Sequence, residues 1–342
     1  MEAEPRALEG WRPRRPAWET TESGDLRRIG VEIEMIGPGV TEVAGVVAAQ
    51  LGGTLRPVSR DEVAIVTREG LTWRVELDQA FLKQRSREQE EAEDGEASSW
   101  AVAQWVEELV RAGAEAIVPV ELVSPPIPFP ELTVVQELIA ALREQGARGT
   151  RSGLAYAFGM QLNLEMPRCD ATTVLAYTRA FACLYEWLVR ESRIDLTRRL
   201  TRYAAPFPTE YVRRIIQPTY APDLAALIDD YLEANPTRNR ALDLLPLFTE
   251  LDEARVRAAV TDPRVKARPA LHYRLPNSEI DDPHWGVHLA WDDWLEVERL
   301  AADPRRLEEV CKAHAAFLSG GLERWVGDWA SEVEPWLSGG DR

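Results

Sequence analysis

Sulfur, imidazole and positive charge are all scarce in this chain. Its three cysteines, Cys169, Cys183 and Cys311, are far apart among 342 residues. They frame no disulfide scaffold, match no zinc spacing, and suit a reducing cytoplasm. The four histidines (272, 284, 288 and 314) do not cluster as a zinc set would. His284 and His288 are four apart, but Pro283 and Gly286 argue against a shared helix. Cations number 40 Lys and Arg against 57 Asp and Glu, a formal charge of −17. That deficit argues against a nucleic-acid partner, whose phosphates are met mainly by Lys and Arg, and favours multivalent cations and cation-bound nucleotides. No apolar run of about 18 residues and no apolar core in the first twenty residues are present, so neither membrane insertion nor export is expected. The phosphate loop G-x-x-x-x-G-K-[ST], the G-x-S-x-G elbow and H-E-x-x-H are all missing, as is any internal repeat.

The chain does have a core. Apolar residues make up 45% of it, including 12 Trp, which excludes global disorder. Residues 1–25, rich in Pro, Arg and Glu, read as an extended arm that Trp11 and Trp18 can dock on the body. A single domain over 26–338 is expected to follow. Strands are expected at Leu26–Ile36, at Val63–Thr67 and Leu71–Leu77 as a hairpin through Glu69-Gly70, at Ala116–Val123 before Pro125-Pro126, at Tyr156–Glu165 and at 270–275. Helices are expected at Thr41–Leu51 with Thr41 as N-cap and Gly52-Gly53 as the stop, from Ser98 or Ser99 to about 112, at Thr133–Gln145, from the Asp170 cap to about Arg193, at 304–318 and at 320–334. The region at about 195–270 reads as helical, residues 85–97 as a mobile acidic segment, and the Trp-rich stretch 285–294 as core. The fold class is α+β, an antiparallel-leaning sheet backed by helices.

Acidic residues punctuate these strands at a spacing of two. Side chains at i and i+2 of a strand share a face, so Glu32 and Glu34 lie together while Val31, Ile33 and Met35 pack on the other side. Glu76 with Asp78 beyond it, Glu121, the Gln161-x-Asn163-x-Glu165 series and Asn277-x-Glu279 repeat the pattern. Like charges opposite one another across strands destabilise a sheet, so an acidic face is either a solvated surface or a cation site. Oxygen donors of this kind suit Mg²⁺ or Mn²⁺, commonly shared with substrate phosphates. Arg198, Arg199, Arg202 and Arg274 are the candidate anion partners.

Arg28-x-Gly30-x-Glu32-x-Glu34, Asp78, Glu121-Leu-Val-Ser-Pro-Pro126 and the segment from Arg268 to Glu279 together resemble the bacterial amidoligase family, relatives of glutamine synthetase and glutamate–cysteine ligase. The resemblance spans roughly residues 26–300. It implies an antiparallel sheet forming a funnel-like active site, with Mg²⁺ or Mn²⁺ beneath the phosphates of ATP. It also implies a reaction in which a carboxylate takes the γ-phosphoryl group and the resulting acyl phosphate is captured by an amine.

By that resemblance Glu32, Glu34, Glu121, Asp78, Gln161, Asn163 and Glu279 are the metal ligands. Arg198, Arg199, Arg274 and Asn277 bind substrate or nucleotide, and the chemistry turns on Glu34 and Arg274. Gln161-x-Asn163 stands where many relatives carry a His-x-His or similar pair. Neutral amides bind Mg²⁺ more weakly and cannot act as bases. The expected function is therefore an ATP- and Mg²⁺-dependent carboxylate–amine ligase acting on an amino acid, small peptide or peptide-like metabolite. The alternatives are a non-catalytic nucleotide- or metal-binding member of the same fold and a metal-dependent phosphohydrolase.

Overall fold

A computed structural model describes residues 10–78, 118–150, 158–192, 204–320 and 328–337. The expected helix near 98–112, the acidic segment 85–97, Arg198, Arg199 and Arg202 lie outside the described residues.

The first strand, β1 (Arg28–Met35), is buried at Ile29, Val31, Ile33 and Met35 and half-buried at Glu32 and Glu34, as its alternation requires. Helix α1 (Val40–Leu51) follows. It starts one residue before the expected cap: Gly39 takes the N-cap position and donates its N–H to the Glu42 carboxylate at 2.7 Å. Glu42 thereby supplies the N3 half of a capping box without help from Thr41. The helix ends at Gly52, whose φ of 60° is the left-handed conformation glycine tolerates.

Strand β2 (Thr54–Pro57) is exposed along its whole length and therefore carries no alternation for sequence reading to find. β3 (Glu62–Val66) and β4 (Thr72–Leu77) form the expected hairpin. β5 (Val120–Val123) leads through Pro125-Pro126 into the two-residue β6 (Ile127–Pro128). Both β5 and β6 pair with β1, and the prolines between them lack N–H groups for the ladder. Ser124 fills the break, donating its N–H to Val31 O at 2.8 Å while its hydroxyl accepts from Val31 N at 2.7 Å.

Helix α2 (Leu132–Glu144), β7 (Met160–Glu165) and α3 (Ala171–Glu191, capped by Asp170) follow as expected. The region after residue 204 holds α4 (Thr209–Ile215), α5 (Leu224–Ala234), the short β8 (Leu242–Asp243), α6 (Leu245–Leu251), α7 (Glu253–Ala259) and β9 (Ala270–Tyr273). Among these only β8 departs from the expected helical reading. The Trp-rich stretch is the start of a helix, α8 (Val287–Ala302). Its N-cap Gly286 is fully extended, so Pro283 and Gly286 sit before the helix and do not break it. His284 therefore precedes the helix that carries His288, and the two do not share a helical face. Trp285, Trp291 and Trp294 are core residues. α9 (Pro304–Ser319) matches expectation; of the expected 320–334, residues 321–327 lie outside the described residues, and the helix α10 covers Trp329–Glu332.

The strands form one antiparallel sheet in the order β2-β3-β4-β5-β1-β7-β9-β8, with β6 alongside β1. One face is apolar, with Val63, Ile65, Val75, Leu122, Ile33, Met160, Leu162 and Tyr273 all buried. Burying each side chain of this size is worth about 1.5–3 kcal/mol. α1 packs on β3 and β4, α6 on β9, and α3 meets β9 through Phe181 edge-on to Tyr273. α8 packs against α2 and α3. Among the described residues no helix is long and apolar enough to cross a membrane.

Behind the sheet lies a buried ion pair. Arg27 makes a two-pronged contact with Glu298 of α8, at 3.0 and 2.9 Å. Tyr177 Oη and Trp294 Nε1 donate to the same carboxylate at 2.5 and 3.0 Å. Residues 10–25 lie along this layer: Trp291 Nε1 donates to Arg14 O, Arg14 pairs with Asp292, and Trp18 packs on Tyr177. Arg27→Met leaves Glu298 charged, buried and short of its cation, and is expected to cost about 3–5 kcal/mol. Urea unfolding monitored by Trp fluorescence measures this, and a loss under about 1 kcal/mol would mean the pair does not hold the back layer.

Candidate active site

The opposite face of the same sheet is polar, and register rather than sequence decides who meets whom. Glu62 of β3 lies opposite Glu76, Glu76 opposite Glu121, and Glu121 opposite Glu34. Four carboxylates thus run in one row across four adjacent strands. In the next row Arg74, Val123, Glu32 and Gln161 are successive partners, and Arg274 extends it with Nε donating to Gln161 Oε1 at 3.3 Å. A third row joins Gly30, Asn163, His272 and Asp243. Gly30 leaves room for this row, since a Cβ there would lie 3.2 Å from Asn163 Cβ.

Carboxylates so arranged repel. Burial, then the charges of Glu32, Glu34, Asp78 and Glu76, push the Glu121 carboxyl well above the usual carboxylate range. Burial also pushes Glu76 up, helped by Glu62, Glu32 and Asp78 and opposed by Arg74. Glu32 goes the other way. Burial acts against its charge, but His272, the Arg268 charge and the Asn163 amide together outweigh it and hold Glu32 below its ordinary value.

The two amides hold this face in place. Gln161 Nε2 donates to Glu34 Oε1 at 3.0 Å while its oxygen accepts from Arg274, and Gly159 N donates to Glu34 Oε2 at 2.8 Å. Asn163 Nδ2 donates to Glu32 Oε1 at 2.8 Å. Gln161 therefore bridges a carboxylate and a guanidinium, which is a positioning geometry. Asn163 Oδ1 is buried and lacks a hydrogen-bond partner, and so is His272 Nε2, which stands 3.8 Å from Glu32 Oε2. Buried polar atoms without partners are uncommon in folded proteins and mark strain or a place for an ion or water. Burial pushes His272 down to about 4, so it is neutral at neutral pH. It also pushes Asp243 up to about 6, against the Leu245 N–H and the charges of Arg274, Arg238 and Arg268.

A cavity of about 430 Å³ opens on this face. Glu32, Glu34, Glu76, Glu121, Asp61, Glu62 and Asp78 line it, together with Arg238, Arg264 and Arg274. Arg264 pairs with Asp262, and Arg274 Nη1 donates to Arg238 O at 2.6 Å. The Arg238 side chain forms no hydrogen bond or ion pair within the described residues. Burial, then its neighbours Arg274 and Arg264, weaken its hold on its proton. Asp243 and Asp262 act in the opposite direction.

Of the residues singled out in the sequence, Glu32, Glu34, Asp78, Glu121, Gln161 and Arg274 converge on the cavity. Asn163 reaches it through Glu32. Asn277 is buried beside Gly159, to which it bridges, and Glu279 lies in the following turn, where its carbonyl accepts from Asp282 N. Neither lines the cavity. Sequence reasoning missed His272, Asp243, Arg238, Arg264, Asp61 and Glu62. His272 was within reach of it, two residues before Arg274 on one strand. Asp243 and Arg238 belong to a stretch whose helical character hides a two-residue strand. Among the described residues no three His, Cys, Asp or Glu side chains are already gathered as a metal site.

A model of the family described as "Putative amidoligase enzyme" matches residues 25–296, well over half of the chain. No curated protein and no solved structure matches. The crowding on the acidic row generates its own expectation. In a chelating buffer Glu121→Gln removes one repelling charge and should stabilise the protein by roughly 1 kcal/mol. Excess Mg²⁺ should then stabilise the wild type more than the variant. Thermal melts with and without the metal check both, and a variant less stable than wild type in chelator would mean the row is not under repulsion.

Proposed function

This chain belongs to the amidoligase family, and on that premise we propose that it is an ATP- and Mg²⁺-dependent carboxylate–amine ligase. The family makes it an amide-forming ligase. The ATP dependence, the metal and the acyl phosphate are our reading. One observation carries that reading: a single cavity is bordered by a row of carboxylates on four strands and by three guanidinium groups. A polyphosphate substrate with accompanying cations needs both kinds of surface. A simple solvated face needs neither.

The donor set fits a hard divalent cation. Half-buried carboxylates under mutual repulsion and the unpartnered atoms Asn163 Oδ1 and His272 Nε2 are what Mg²⁺ or Mn²⁺ would relieve. Glu32, Glu34 and Glu121 would hold it, with Asn163 and His272 beside Glu32 and with Glu76 and Asp78 nearby. Glu279 lies outside this set. When bound, the metal supplies charge neutralisation for the phosphates.

The chain's own residues have distinct tasks. Arg274 and Arg238 receive the phosphoryl oxygens and stabilise the charge that develops as a substrate carboxylate displaces ADP and becomes an acyl phosphate. Gln161 fixes the spacing between Arg274 and Glu34, so that the cationic and acidic walls keep one geometry through the transfer. The amine then attacks the acyl carbon and inorganic phosphate leaves. The polar sheet face serves as the funnel in this reading, and the substrates are an amino acid, a small peptide or a peptide-like metabolite.

Titration calorimetry with a non-hydrolysable ATP analogue is the direct test. Binding should require Mg²⁺, should be lost in Glu34→Gln, and should weaken about tenfold in Arg238→Ala, equivalent to ~1.4 kcal/mol. Analogue affinity indifferent to both Mg²⁺ and Glu34 would overturn the metal assignment. ADP release that accelerates with added amines marks a ligase, whereas release of phosphate at the same rate without any amine marks a phosphohydrolase.

A further inference from the structure

Two of the three cysteines, 128 residues apart in the chain, meet where α9 crosses α3. Cys183 Sγ and Cys311 Sγ are 3.8 Å apart, both buried and both thiols. A disulfide requires that gap to close to roughly 2.05 Å. The two thiols differ in surroundings. Cys183 is sealed in the core, while Cys311 forms part of the wall of an open groove together with Trp18, Arg179, Tyr220, Leu307 and Glu308. Arg179 lies one turn before Cys183 on α3. Its guanidinium donates to the carbonyls of Ile215, Gln217 and Tyr220 rather than to a carboxylate, so its charge is not cancelled by an ion pair.

We propose that Cys183 and Cys311 are an oxidant-responsive thiol pair, which a peroxide entering by the groove converts to a disulfide between α3 and α9. The inference does not depend on the ligase reading. Cys311 is the attacking thiol. The Cys183 hydrogen bond, then the Arg179 charge, favour its thiolate over the opposing effects of burial and Glu308, whereas Cys183 is held protonated by its bond to Cys311 and by burial. The Cys311 thiolate attacks one peroxide oxygen, the O–O bond breaks, and hydroxide leaves to become water, giving a sulfenic acid. Cys183 then attacks that sulfur. Its proton leaves with the sulfenic hydroxyl as a second water, and the S–S bond forms. The two sulfurs lose two electrons together and the peroxide gains both. The product ties α9 to the helix whose Phe181 packs on Tyr273, the residue before Arg274.

Intact-mass analysis of the full chain tests this. Purified protein is treated with hydrogen peroxide, denatured and alkylated with iodoacetamide. The alkylated thiols should fall from three to one, at Cys169, and the oxidised protein before alkylation should be lighter by about 2 Da, a loss that dithiothreitol reverses. Digestion should yield a single cross-linked species containing Cys183 and Cys311. In Cys183→Ala the same treatment should leave a dimedone-trappable sulfenic acid on Cys311. Should that variant fail to fold, the wild-type masses decide alone. Three alkylated thiols after oxidation, or a disulfide that includes Cys169, would overturn the proposal.

Discussion

The two faces of β1 are the constraint on which the rest of the molecule depends. The strand lies in the middle of the sheet, paired on one side with β5 and β6 and on the other with β7. Its odd residues pack the core and its even residues carry the acids. A slip of one residue would bury Glu32 and Glu34 among Val and Leu side chains and expose Val31 and Ile33. The cost of burying two carboxylates fixes the register of β1 and, through the ladder, that of β5 and β7. The serine of the Ser124-Pro-Pro segment matters for the same reason, because it carries the ladder past two residues that cannot donate.

That register turns an ordinary alternation into a crowded acidic surface. Each carboxylate could be solvated on an isolated strand. Placed directly opposite one another on β3, β4, β5 and β1, they crowd together, and the sheet accepts the resulting repulsion. The polar face is thus held in a state that a cation would relieve. In the same cavity Arg238 sits beside two like charges, Arg274 and Arg264, and an anion would relieve it. The cavity is therefore strained in both senses, by crowded carboxylates and by crowded guanidinium groups.

Rigidity comes from the far side of the sheet. Arg27, directly before β1, is anchored by Glu298, which also accepts from Tyr177 of α3 and Trp294 of α8. One buried carboxylate joins the leading end of the central strand to two helices of the backing layer, and Phe181 of α3 carries that packing on to β9. The polar cavity therefore rests on elements tied to a common hub. The thiol pair lies within this backing layer too, at the contact of α3 with α9.

By itself the sequence determined the period of the half-buried strands, and with it which residues share a face: Glu32 with Glu34, and Gln161 with Asn163. Alternation is a local property, readable wherever one face is buried and the other wet. It also determined most helices, through caps such as Asp170 and stops such as Gly52. It could not show β2, exposed on both faces, or β8, two residues long in a helical region. It hid α8, whose leading glycine and proline lie just outside it and whose surface is buried almost all round. Only the tertiary structure decided which carboxylate faces which, that His272, Asp243 and Arg238 join them, that Glu279 stands apart, and that Cys183 meets Cys311. Those are matters of register and helix crossing, set by long-range pairing between segments up to hundreds of residues apart, and no local pattern encodes them.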